Sequence, residues 1–285
     1  MENSTKTGLL IIIIGMILGI ISNITLFFVN FNVDVSKIED LYFAIAPSLI
    51  FTVIAGILIL IGGILMIIGR EDYGEKHSKF VLYAIIIFVV NFMITIILNG
   101  ISSALEPTSY FMFVKPTLSD YEPIILITVI SSTISAIFAG LTYVFLLYHL
   151  ENEKGRIVLF TAYIVSVIIA IVVAIYNHGV FTEMMRDLLA SDTIDSSTIS
   201  QVTAQLSSMS KATIFSSIGA ILFIFATYIP YKRIKSGELI PVLPSHLKRC
   251  MKCGRVNPSD SVICAYCGNR FSNYQYNTYN ENRRV

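Results

Sequence analysis

Charge is what this chain has least of. Only 14% of its 285 residues are Asp, Glu, Lys or Arg, against 55% hydrophobic residues and a mean hydropathy of +0.74. A soluble domain carries roughly 25% charged residues, so a chain this apolar needs lipid around most of it. Cysteine is missing from everything before residue 250, which leaves the membrane-embedded part without any disulfide. The catalytic signatures expected of membrane hydrolases are missing too. There is no H-E-x-x-H, no G-x-S-x-G and no pair of intramembrane aspartates, so no protease or hydrolase site is expected, and the chain is read as a non-enzyme. Gly62-Gly63 stands without a nearby phosphate-loop pattern.

What is present is a series of apolar runs. Residues 8–31 carry no charge and as a helix extend about 36 Å, enough to cross a bilayer. A cleavable signal peptide is the competing reading, but the run is too long for an h-region and no small-residue cleavage site follows it. Five further spans lie near 45–69, 80–101, 123–149, 157–178 and 212–231. The expected fold is an all-α membrane protein of six transmembrane helices. Pro47 and Pro123 fall near the starts of the second and fourth spans, where a missing N–H costs little.

Net charge hides an asymmetry. From Lys232 onward ten Lys and Arg face Glu238, Asp260 and Glu281, so the tail carries +7 and residues 1–231 carry −6. The connections at 70–79 and 150–156 are also richer in Lys and Arg than those at 32–44, 102–122 and 179–211. With an even number of spans, the positive-inside rule puts both termini in the cytoplasm of a cell-membrane protein. The four thiols then lie on the reducing side, as the redox rule asks. A basic tail beside a bilayer also suits an anionic lipid surface or an acidic partner.

The last outer connection carries two apolar stripes, Met184, Met185, Leu188 and Leu189, then Ile199, Val202, Leu206 and Met209. These read as interfacial helices or, for the second stripe, as a helical extension of the sixth span. Pro47 with Thr52-Val53-Ile54 repeats as Pro123 with Thr128-Val129-Ile130, and Asn30, Asn99 and Asn177 each close an odd-numbered span. The pattern suggests three consecutive helical hairpins.

No Asp, Glu, Lys or Arg falls deep within a span, although ion-coupled transporters usually keep one there. His149 and His178 sit at span ends. The spans carry small and hydroxylated residues instead. Gly15 and Gly19, the rows Ser131, Ser135, Ala139 and Ser132, Ala136, Gly140, and the pair Ser216 and Ala220 recur at helix-packing spacing. Close helix packing explains them more simply than a polar groove shared with Asn23, Asn91, Tyr143 and Tyr163.

After Tyr231 the composition changes. The chain divides into a transmembrane domain at 1–231, a basic, proline-containing linker at 232–249, a metal knuckle at 250–271 and a disordered tail at 272–285. Pro230 can end the sixth helix or kink its last turn. Cys250, Cys253, Cys264 and Cys267 stand as C-x₂-C-x₁₀-C-x₂-C, each pair followed at once by a glycine, Gly254 or Gly268. Each C-x₂-C makes a tight turn whose two sulfurs can share one ion. Asn257-Pro258-Ser259-Asp260 is a turn signal between the halves. Four soft thiolates at this spacing select tetrahedral, structural Zn²⁺, and a segment this short needs the metal for its folding energy. Disulfide pairing conflicts with the cytoplasmic side, and iron is the lesser competitor.

This stretch resembles the short double-knuckle zinc ribbons, whose usual pattern is C-P-x-C-G followed by C-x-x-C-G. It matches in the four cysteines, both glycines and the NPSD turn, and departs at Met251 and Ala265. The whole layout resembles prokaryotic, archaeal polytopic membrane proteins of uncharacterised activity with such a ribbon at one end. That resemblance implies an interaction or structural module and no particular reaction. The expectation is a ribbon that docks a cytosolic protein partner, with a transporter carrying a regulatory ribbon as the alternative. Lys248, Arg249, Lys252, Arg255 and Arg270 with Tyr266 and Phe271 also raise nucleic-acid binding. The patch is small and tethered to a bilayer, which weighs against it. Oligomeric state is not legible in the sequence.

Overall fold

The computed structural model describes residues 4–29, 38–105, 117–190, 196–241, 247–250, 252–253 and 255–271. The chain divides into two compact units, Met1–Leu239 and Ile240–Val285. The first is helical, with α1 (Ser4–Phe27), α2 (Ile38–Ile68), α3 (Glu75–Leu105), α4 (Leu118–Leu147), α5 (Glu153–Ala190), α6 (Ser196–Ala212) and α7 (Ser216–Lys235). Among the described residues six helices are long and apolar enough to cross a membrane, the sixth formed by α6 and α7 running on through a 3₁₀ turn at Thr213–Phe215. Large apolar side chains such as Val53, Ile57, Ile97, Ile168 and Phe225 point outward, as lipid-facing residues do. The molecule is a multi-pass membrane protein.

The helices pair as α1 with α2 and α3 with α4, while α5 packs as closely on α4 as on α7, so the last of the three expected hairpins is not set apart from its neighbours. Packing of α1 on α7 and of α4 on α5 links the helices into an arc, and α2 and α3 at its two ends touch only sparsely. The α1–α2 contact is the closest. A Cβ on Gly8 falls 2.7 Å from the Gly62 carbonyl, and one on Gly62 falls 2.8 Å from that of Gly8. Gly15 is similarly crowded by Ile59, but Gly19 faces open space, so only half of the G-x₃-G pair is spent on packing. Hydroxyls add polar contacts between these helices. Ser22 Oγ lies 2.9 Å from Ser48 Oγ and 2.7 Å from Thr52 Oγ1, and Thr5 Oγ1 donates to the Gly69 carbonyl at 3.1 Å.

Several helix ends differ from the sequence reading. Pro47 stands near the start of the apolar span Ile45–Ile68 as expected, but the helix itself begins at Ile38 and so encloses it, and Pro123 lies in the second turn of α4. Pro230 neither ends nor truncates α7, which continues to Lys235 with Pro230 buried in it. The stop comes from Gly237, whose φ of +77° is the left-handed conformation that closes a helix. Its N–H donates to the Ile234 carbonyl at 3.2 Å. Asn99 and Asn177 lie within α3 and α5, which run past them. Asn30 lies outside the described residues. Both stripes of the connection at 179–211 are helical extensions, the first of α5 and the second, α6, of the sixth span. They meet through Gln205 Nε2, which donates to Asp187 Oδ2 at 3.1 Å.

The second unit holds two short strands, β1 (Leu247–Arg249) and β2 (Val256–Pro258), antiparallel with Leu247 opposite Pro258 and Arg249 opposite Val256. Strand pairing thus begins at Leu247, within the stretch read as linker. The expected disordered tail at 272–285 lies outside the described residues.

Candidate metal centre

The described residues from Leu247 to Phe271 repeat one knuckle pattern twice. Arg249 pairs with Val256 in the first, and fourteen residues on Ile263 bridges Arg270 in the second. The Cys250 N–H donates to the Arg255 carbonyl at 2.9 Å, and the Cys264 N–H to that of Asn269 at 2.8 Å. In the second turn Gly268 sits at φ +66°, a conformation glycine adopts without strain, and its N–H donates to the Cys264 carbonyl at 3.0 Å. Gly254 and Met251 lie outside the described residues.

The two turns bring Cys250, Cys253, Cys264 and Cys267 together, with all four Sγ atoms within 4.8 Å of one another. Cys250 and Cys267 are 3.6 Å apart at sulfur, as are Cys253 and Cys264. A disulfide requires ~2.05 Å, and all four cysteines are free. Four sulfurs at ~2.3 Å from a central ion lie about 3.8 Å apart along each tetrahedral edge, so the cluster has the size of a closed four-thiolate site. Cys250 and Cys264 are buried and Cys253 is exposed.

The electrostatics of the cluster suit a cation. The Cys253 backbone N–H, helped by that of Lys252, pulls the Cys250 thiol below its ordinary range. Burial works against ionisation of Cys264, but the N–H groups of Tyr266 and Cys267 and the Asn257 amide outweigh it and bring that thiol down to about 6. At Cys267 the Asn269 N–H favours the thiolate, yet burial and the three neighbouring sulfurs prevail and push it up to about 12. Some protons leave readily and the last is held by mutual repulsion. A bound dication removes that repulsion and takes all four as thiolates.

Asn257, read from the sequence only as a turn residue, is part of this site. It is buried on β2. Its Nδ2 donates to the Arg255 carbonyl at 3.0 Å and to Cys264 Sγ at 3.4 Å, and its Oδ1 accepts from the Ala265 N–H at 2.9 Å. One side chain therefore ties β2 to a ligand sulfur and to the backbone of the opposite knuckle. The departure at Ala265 acquires a meaning, since a proline there has no N–H to give. Around the cluster the aromatic faces are already covered: Lys248 Nζ lies 4.3 Å from the Phe271 ring centre, and the Arg255 guanidinium 4.6 Å from that of Tyr266.

Two polar features of the helical unit complete the inventory. A cavity of about 400 Å³ opens where α2 and α3 part, its apolar wall interrupted by Asn91, Thr142 and Tyr143. A second of about 230 Å³ lies on the other side of Tyr143, among α4, α5 and α7. Of the other groups considered for a groove, Asn23 donates to Ser217 Oγ at 3.2 Å and the Tyr163 ring fills the space over Gly140. These two serve packing. Ser132 bonds its own helix at the Val129 carbonyl.

The connection at 150–156 exposes Asn152, Glu153 and Lys154 but buries a carboxylate. Glu151 is 3% exposed and neither of its carboxylate oxygens has a hydrogen-bond partner among the described residues. Burial pushes its carboxyl up to about 8, against the pull of Arg233 and Arg156. His77 is fully buried and its ring lies 6.4 Å from that of His149. No sequence signal marks this layer, because nothing local distinguishes a buried Glu151 from an exposed one. His178 stands apart in α5, its carbonyl accepting from Thr182 Oγ1.

Comparison with known protein families, with curated proteins and with solved structures returns no match. The combination of six apolar helices with a C-terminal four-cysteine cluster is that of a polytopic membrane protein with a possible metal-binding unit.

Proposed function

We propose that this is a cell-membrane protein whose C-terminal unit is a structural zinc ribbon, held in the cytoplasm as an interaction module for a cytosolic protein partner. The observation that carries the reading is the mutual approach of the four sulfurs. Cysteine-only donors, tetrahedral size and a closed shell favour Zn²⁺ over harder ions and leave no open position for substrate. The Lys and Arg asymmetry of the connections supports a cytoplasmic position for both termini, as do four free thiols, which suit a reducing compartment. The reading assigns no catalytic residue and is that of a non-enzyme.

The test is metal analysis of the full chain purified in mild detergent, beside the double variant Cys253→Ser, Cys264→Ser. One zinc per wild-type chain and none in the variant, with membrane insertion unchanged, is the expected result. Iron in place of zinc, or metal retained by the variant, overturns the assignment.

A transporter with a regulatory ribbon is the second reading, favoured by the cavity bearing Asn91, Thr142 and Tyr143. It expects solute flux in proteoliposomes that Tyr143→Ala abolishes.

A further inference from the structure

We infer that the surface of the C-terminal unit binds the anionic face of the bilayer, with Tyr266 and Ile263 at the acyl boundary and the basic residues beside them on lipid phosphates. The inference rests on the reading of this unit as a folded, metal-held module, and adds the partner of its surface. Val262, Ile263 and Tyr266 are 61%, 53% and 58% exposed, an unusual density of large apolar groups for so small a unit. They come coupled to cations. Arg255 lies over the Tyr266 ring, and Arg270 stands directly across the bridge from Ile263. Lys252 and Arg249 are exposed as well. Among the described residues of this unit Asp260 is the only carboxylate, against five Lys and Arg, and four thiolates with one dication leave the balance positive.

Each apolar body with a cation at its flank is the arrangement that interfacial segments use, the ring or aliphatic chain in the headgroup region and the charge on phosphate. Single-stranded nucleic acid instead stacks its bases on bare aromatic faces, and here one face each of Tyr266 and Phe271 is already taken by the chain's own cations. The three exposed apolar side chains cover less than the about 800 Å² per side that a protein interface typically takes, which leaves the rest of the unit's surface for a cytosolic protein. A lipid surface asks for less. Eleven residues separate Lys235 at the end of the last spanning helix from Leu247 at the start of β1. Extended, they reach at most about 40 Å, so the unit is never far from a leaflet, and a weak contact suffices at such effective concentration.

The chain contains no tryptophan, which makes the experiment direct. Tyr266→Trp places a single emitter at the exposed ring of the full-length, zinc-loaded protein in nanodiscs. In discs containing phosphatidylglycerol the emission should shift to the blue and be quenched by lipids brominated near the headgroup. Both effects should vanish in phosphatidylcholine discs and in 1 M salt, where the screening length falls to about 3 Å. Arg255→Glu and Arg270→Glu should each lower the docked-to-free ratio at least about fivefold. Ile263→Trp is the second reporter should position 266 perturb the knuckle. Emission that is the same in neutral and anionic discs overturns the inference, as does quenching indifferent to salt and charge reversal. So does a response only to added single-stranded RNA. Zinc measured on the same samples separates the failures: one zinc without quenching sinks the lipid contact alone, whereas absent zinc sinks the ribbon reading beneath it.

Discussion

Asn257→Ala tests the metal centre without touching a ligand. Asn257 is buried at 1% exposure and makes three hydrogen bonds across the site, one of them to Cys264 Sγ. Truncation leaves the Ala265 N–H and the Arg255 carbonyl without this partner and removes a donor that stabilises the Cys264 thiolate. Groups that orient a ligand in this way typically contribute 10–100-fold in metal affinity, or about 1.4–2.7 kcal/mol. The expected outcome is a zinc dissociation constant raised by that factor in the full chain, read by competition against a chromophoric chelator at pH 7.5. Asn257→Asp keeps the acceptor for Ala265 but sets a carboxylate beside a thiolate, and should fall at the weaker end of the same range. Ala265→Pro removes the N–H that Asn257 receives and should reproduce part of the loss. Ser259→Ala, in the intervening turn, serves as control. An affinity for Asn257→Ala within twofold of wild type refutes the reasoning, because the three bonds would then be incidental to ligand placement.

Other consequences are equally accessible. Glu151→Gln should raise the thermal midpoint in detergent at high pH. The folded state keeps a proton on Glu151 up to about pH 8 that the unfolded chain releases near 4.5. Wild type therefore loses stability as pH rises through that window, while the amide does not titrate. The two proteins should coincide below about pH 4.5 and separate progressively to pH 8; a constant offset counts against the buried-carboxyl account. Gly62→Val drives two methyl groups into the Gly8 carbonyl and Ile12 and should destabilise the α1–α2 pair by about 1–3 kcal/mol, the usual cost of overpacking. Gly63→Val, with nothing within 4 Å of its Cβ position, should be tolerated in a parallel melting assay. Zinc affinity should weaken as pH falls, since protons compete for the four thiolates, with a titration between pH 8 and 6 as the measurement.

How much was readable beforehand follows the range of each interaction. The six spans were legible because lipid solvation is a property of composition over some twenty residues, and the cysteine cluster because C-x₂-C is a local turn. Helix ends were less so. Pro47 and Pro123 mark the starts of their apolar spans but not of α2, and Pro230 does not end α7, because neighbouring packing and the absence of competing water in lipid hold the backbone helical past a missing N–H. The first stripe at Met184 and Leu188 gave the period of a helix and not its attachment to α5.

By itself the sequence determined the class of molecule, a multi-pass helical membrane protein with four clustered thiols at one end. Each of those traits is written in consecutive residues. The tertiary structure alone decided which polar groups do what. It turned Asn257 from a turn residue into a support for Cys264 and buried Glu151 in the short connection between two spans. It spent Asn23 and Ser22 on helix contacts across Ser217, Ser48 and Thr52, and left Asn91 and Tyr143 lining a cavity. The physical reason is common to all of them: the energy of a buried polar group depends on the partner it meets, and these partners, from Cys264 seven residues away to Ser217 nearly two hundred, are brought together only by the fold.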